Sequence, residues 1–168
     1  MGFRRYSAYR GRKLRLDEVL LENFAMSRLG YHYLHAVAPG FDRRVIPATK
    51  GRLSSTGLDK VGLVTTTGAK PGQKRSQPLL LIPVGEDLLA LGSNYGGANH
   101  PAWSANLLAY PECEVTFRAP ARTYRAHLLA GDERQQAWDT AVDYYIGYER
   151  YRQTSAPREI RVFRLSPV

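Results

Sequence analysis

At 168 residues and 43% hydrophobic content, the chain can bury one sizeable core, and disorder is not its default state. Its single cysteine, Cys113, excludes an intramolecular disulfide and a cysteine-rich metal site, and no apolar run approaches the ~20 residues that span a bilayer. The formal charge of +9 is lopsided: residues 1–75 hold 15 Lys/Arg against 5 Asp/Glu, and residues 76–168 hold 9 against 10.

Residues 1–15 read as a flexible basic arm, with Arg4, Arg5, Arg10, Arg12, Lys13 and Arg15 and no acid. Such a block suits an anionic ligand, a lipid surface or nucleic acid. No h-region follows, so a secretory signal is not expected and a cytoplasmic location is. Residues 16–60 form a second stretch. Leu20, Phe24, Tyr31 and Leu34 recur near helical spacing, which predicts a helix over residues 17–37 with Asp17 as N-cap. Gly30 weakens it, Pro39-Gly40 ends it, and residues 41–60 are a polar connection.

From residue 61 to 168 strand signals dominate, and the whole reads as a single domain. The β-branched run at residues 61–67 and the apolar run at 79–84 flank a glycine-rich loop. Further strands are predicted at residues 88–92, at Cys113, Val115 and Phe117, at residues 122–129 and at 159–165. Two helices interrupt them. One covers residues 100–108; the other starts near Asp132, where Gln135 completes an approximate capping box. Consecutive strands with short turns indicate antiparallel pairing in an α+β domain, and closure into a small barrel would remove exposed edges.

Three stretches carry candidate chemistry. The loop after Thr67 holds Lys70, Lys74 and Arg75 between Gly68 and beyond Gly72, where charge and backbone N–H groups can meet an anion. A solvated basic hairpin would look the same. Residues 91–106 run from a strand end through Ser93, Asn94, Gly96 and Gly97 into a helix with Pro101 near its first turn, a place for an anion. Trp103 offers a planar apolar face, or simply fills the core. Tyr145, Tyr148 and Tyr151 fall at i, i+3 and i+6, broadly one helix face, although Gly147 disturbs a regular helix. His32 and His35 lack a carboxylate or cysteine to complete a metal set, and Cys113 sits on a predicted strand as a buried thiol. No dinucleotide fingerprint, P-loop or G-x-S-x-G elbow is present.

Taken in order, T-T-T-G-x-K-x-G-x-x-R, Pro78-Leu79, S-N-x-G-G and H-P-x-W-x-x-N-L resemble the deazaflavin-dependent nitroreductase family. That family belongs to the flavin/deazaflavin oxidoreductases of split β-barrel fold. The match covers residues 61–165, and residues 1–60 match only loosely. The resemblance implies a mostly antiparallel split barrel with an N-terminal helix and two further helices, binding coenzyme F420 through its phosphate and oligoglutamate tail. Lys70, Lys74 and Arg75 would neutralise the tail's phosphate and carboxylates, and Gln77, Pro78 and Leu79 would line the approach to the ring, with Ala69, Pro71, Ser76 and Leu80 also among the cofactor-binding residues. Leu91, Gly92, Ser93, Asn94, Gly96 and Gly97 would approach its other side, with Ala102, Trp103, Ser104, Ala105 and Asn106 at the helix start. Tyr145, Tyr148 and Tyr151 would border the substrate pocket, Tyr148 also touching cofactor. Departures are Ala69 for a common basic residue, Pro71 for Ser or Thr, Asn94 for Lys, and Leu80 near the place of an aromatic in nitro-drug-activating relatives.

The expected activity is an F420H2-dependent reductase passing hydride to a planar, electron-poor quinone, enone, unsaturated lactone or nitroaromatic. Tyr148 or Ser93 would stabilise the oxygen that gains negative charge. Alternatives are an FMN enzyme in the same groove and a non-catalytic carrier of lipid or another hydrophobic ligand. The expected partners are a small hydrophobic substrate and, through the basic arm, the inner face of the cell membrane. No nucleic-acid module is found. A monomer and a homodimer both fit, and no metal is implied.

Overall fold

The computed structural model describes residues 8–9, 12–13, 24, 27–55, 60–69 and 72–168. Most of the basic arm, the Asp17 cap, Lys70 and Pro71 lie outside them. Ala8–Tyr9 (β1) and Arg12–Lys13 (β2) pair as a two-residue antiparallel ladder.

Among the described residues, six antiparallel strands close a barrel in the order β3-β4-β5-β8-β7-β6. They are β3 (Val61–Thr67), β4 (Lys74–Val84), β5 (Asp87–Leu91), β6 (Glu112–Thr116), β7 (Arg122–Leu128) and β8 (Val162–Pro167). Closure comes from β6 pairing back on β3. The expected small antiparallel barrel is therefore present.

Period-two patterning explains how it packs. On β5, Leu88 and Ala90 face the barrel interior with Val64, Leu81, Phe163 and Leu165, whereas Leu89 and Leu91 face outward under the C-terminal helices. A strand covered on both faces reads as an unbroken apolar run, which is what Leu88–Leu91 spells out. β6 is covered on one face, so buried Cys113 and Val115 alternate with exposed Glu112 and Glu114.

β4 sets up the site. Its residues 74–80 pair only with β3, and residues 81–84 pair with β5. Each segment therefore has one open edge, and Pro78 and Pro83 lie in such one-sided segments, where a missing N–H is tolerated. The strand begins five residues earlier than predicted. Gly68 N donates to Gln73 O at 2.8 Å and Gly72 N to Gly68 O at 3.0 Å, closing the turn before residue 74. Lys74 and Arg75 thus stand on the strand opposite Thr67 and Thr66 rather than on the loop.

The helices differ more from expectation. Helix α1 (Arg28–His32) has Ser27 as N-cap, its Oγ accepting from Gly30 N at 2.9 Å. A π turn over Tyr33–Val37 then leads into α2 (Ala38–Ala48). Pro39 does not end the helix, because it sits in the first turn of α2, where its missing donor costs little. Helix α3 is Ala102–Ala109. The last predicted helix is two: α4 (Gly131–Tyr144) and α5 (Gly147–Ser155). The Asp132 capping box is not formed; Ala130 is the N-cap and no side chain caps it. No helix among the described residues is long and apolar enough to cross a membrane.

Candidate functional site

One cavity of about 360 Å³ collects half of the predicted residues. Its first wall is the open edge of β4, Gln77 to Leu80, with Val61 and the end of β5 at Leu91. Its second is Ser93, Asn94 and Tyr95 with the first turn of α3 at Pro101, Ala102 and Trp103. Tyr145, Tyr148 and Tyr151 form the third, and Ala38, Pro39 and Asp42 of α2 the fourth. The lining is mainly apolar, with few polar groups, as small-molecule sites generally are.

Tyr148 and Tyr151 are hidden from bulk water and Tyr145 is half-buried, yet all three face this space. Tyr148 and Tyr151 are 3% and 4% exposed. The ring of Tyr145 lies 5.5 Å from that of Tyr148 and 6.2 Å from that of Tyr151, and the Tyr145 and Tyr151 hydroxyls are 3.4 Å apart. They do not share one helix face. Tyr145 is the C-cap of α4 in extended conformation, and only Tyr148 and Tyr151 lie on α5. Gly147 permits the break, since a Cβ there would lie 2.4 Å from the Tyr145 ring. Burial, then the neighbouring Tyr151, Tyr95 and Tyr144, push the Tyr148 phenol far above its usual range, so it is a neutral donor.

Trp103 both fills the core and offers a face to the site: 6% exposed, it packs on Phe163 at 5.7 Å and still lines the cavity. The loop before it is held from a distance. Arg158 donates to Gly97 O at 2.8 and 3.0 Å, Gly92 O at 3.0 Å and Ser93 O at 2.7 Å. Asn94 and Tyr95 both have positive φ, +49° and +51°. For Tyr95 that is a costly conformation, of the kind that persists where surrounding structure enforces it. Gly96, at φ +78°, leaves no room for a Cβ, which would lie 1.9 Å from Thr154 Oγ1.

Several predicted contacts support the cavity rather than line it. Asn106 donates from Nδ2 to Thr66 Oγ1 at 2.9 Å and accepts from Ala69 N at 3.0 Å, so it anchors the β3–β4 loop to the barrel. Ser104 is buried and bonds Pro101 O at 2.8 Å. Ser76 Oγ pairs with Thr65 Oγ1 at 2.8 Å across the ladder. Gly92, Gly96 and Gly97 shape the loop. Ala105 is exposed and does not line the cavity, because it falls on the outer side of α3. Lys74 and Arg75 are exposed on the strand just before the lining begins.

Five residues of the site escape the sequence. Tyr95 stood at the unspecified position of S-N-x-G-G. Asp42, 2% exposed, accepts from Ser55 N at 2.5 Å and Ser55 Oγ at 2.9 Å, and lay in a supposed polar connection. Ala38 and Pro39 were assigned to a helix end. Arg158 gave no local signal at all. Cys113 is buried, its thiol pushed up to about 12 by desolvation, and so is no nucleophile.

Comparison with known proteins accords with this geometry. The family described as F420H(2)-dependent quinone reductase matches residues 43–167. A Mycobacterium tuberculosis protein named as a candidate F420H(2)-dependent quinone reductase is 31% identical over 98 residues, covering 58% of this chain and 82% of its own. A solved F420-H2 dependent reductase superposes with TM-score 0.59 at 33% identity, over 64% of this chain and 94% of the other. A second solved structure, a domain-swapped dimer, gives 0.60 at 32% identity over 74% and 96%. The match spans every barrel strand, β4's open edge, the Ser93–Gly97 loop and the tyrosine wall, and on it the chain belongs to the F420H(2)-dependent quinone reductase family, oxidoreductases whose cofactor is coenzyme F420.

Proposed function

We propose that the cavity seats the deazaflavin ring along the open edge of β4 and a quinone beneath Tyr145, Tyr148 and Tyr151. The observation that carries this reading is one mainly apolar cavity lined on separate sides by the β4 edge and by the tyrosines, with the exposed Lys74 and Arg75 on the strand just before its lining begins. The donor set fits the cofactor. Pro78, Leu79 and Trp103 offer apolar faces to a planar ring, Gln77 and Ser93 offer polar groups to its edge, and the cations suit an acidic tail.

Bound there, F420H2 supplies a hydride. The residues of this chain do the rest. Tyr148 donates a hydrogen bond to the substrate oxygen on which negative charge grows, and Ser93 is a second donor. The buried tyrosine wall and α2 exclude water, which strengthens that bond. Enones and nitroaromatics share the required polarity, and quinones come first because Leu80, not an aromatic, lines the cavity.

The direct test is to mix the protein with F420H2 and menadione and follow reappearance of the oxidised cofactor near ~420 nm. Turnover is expected; absence of both turnover and micromolar cofactor binding would remove the reading. Exposed Leu29, Val37 and Phe41, with Arg44 and Lys50 nearby, suit peripheral contact with an anionic bilayer. Sedimentation with anionic liposomes, with and without residues 1–15, tests that contact and the arm's share in it. Equilibrium sedimentation decides between monomer and homodimer.

A further inference from the structure

Arg43 follows Asp42 on α2, but its side chain reaches the open edge of β4 instead of the cavity. Its Nε donates to Ser76 O at 2.9 Å, and one Nη lies 3.5 Å from Gln77 Oε1. Both acceptors are neutral. The adjacent Asp42 is committed to Ser55, and among the described residues Arg43 forms no ion pair. Ser76 comes directly after Lys74 and Arg75, which are also exposed and also without an ion pair among the described residues. Arg43 therefore stands against the same β4 edge, one and two residues on from Arg75 and Lys74, and among the described residues no carboxylate pairs with any of the three. Their summed charge favours an anion at this edge. A guanidinium has five N–H donors in a rigid fork, and the two contacts observed leave others directed to solvent.

Building on the F420 reading above, we propose that Arg43 is a ligand for the cofactor's anionic tail, contributed by the N-terminal helix. Its remaining N–H groups bind a phosphate or carboxylate oxygen beside Lys74 and Arg75, while the contact with Ser76 O aims the fork. The alternative role, fastening α2 to β4, would affect every deazaflavin alike. The tail role affects only those that carry the tail.

The experiment measures dissociation constants of the full chain and its Arg43→Gln and Arg43→Lys variants for two ligands: F420, and the same deazaflavin with its ribityl chain but no phosphate. Arg43→Gln should weaken F420 binding roughly fivefold to tenfold and tail-free binding less than about twofold, with Arg43→Lys in between. The difference should shrink as salt is raised, since exposed charges are screened. Equal weakening of both ligands, or no weakening of either, overturns the proposal. Failure of the unmodified chain to bind either ligand overturns the F420 reading itself. Thermal melts identify any unfolded variant, and Arg43→Lys keeps the comparison available if Arg43→Gln does not fold.

Discussion

Tyr148 carries two environments in one side chain. Its ring is enclosed by Trp138, Tyr145 and Tyr151, at 6.4, 5.5 and 6.2 Å, and the residue still borders the cavity. Removal of the hydroxyl in Tyr148→Phe preserves the ring packing and deletes one donor. We expect kcat for menadione to fall roughly tenfold to a hundredfold, with cofactor binding unchanged in a direct titration. A lost cofactor affinity with unchanged kcat would reverse the role. Gly147→Ala acts on the neighbouring ring instead. The new Cβ overlaps Tyr145, whose ring must swing within the cavity, so the KM for quinone should rise severalfold while the Kd for F420 holds. Steady-state kinetics beside a binding titration reads both.

At the scale of elements, α2 and β4 decide what the cavity is. α2 is tied at two points: Asp42 holds the Ser55 backbone and hydroxyl, and Tyr33, in the preceding turn, donates to Ser55 O at 3.0 Å. Asp42→Ala leaves the Ser55 N–H without its acceptor, which should cost about 1–3 kcal/mol in denaturant unfolding and raise the quinone KM. Both elements were only partly legible in the sequence. The β3 run is legible to its ends, because β-branched residues mark a strand locally. β4 is legible only from residue 79, because Lys74, Arg75 and Pro78 oppose a strand assignment; pairing on one side only is what admits them. The helix ending at Pro39 was misplaced because a proline that stops one helix also suits the first turn of the next.

The whole molecule has a predictable alkaline response. Burial raises the Cys113 thiol from 9.0 to about 12. The Tyr95 phenol rises from 10.0 to about 12 through burial, Tyr151 and Asp42, and Tyr148 is raised further in the same direction. In each case the folded state holds the proton more tightly than the unfolded chain. Their contribution is complete below the unfolded values and is lost as pH climbs through the folded ones. Thermal stability should therefore hold to about pH 9 and then decline, and Cys113→Ala should remove the earliest part of the decline. A melting temperature flat to pH 11 would contradict this placement of the thiol and phenols.

Sequence by itself determined the period-two strands, the glycine and proline punctuation, the order of the motifs and hence the family, because each is written within a few neighbouring residues. It also marked most of the cavity lining, among it Gln77 to Leu80, Ser93, Asn94, Ala102, Trp103 and the three tyrosines. Tertiary structure alone decided which strand edge stays open, that α2 forms a wall, and that Arg158 secures a loop 61 to 66 residues away. Those contacts depend on distances in space between segments far apart in the chain, and barrel closure, not local pattern, brings them together.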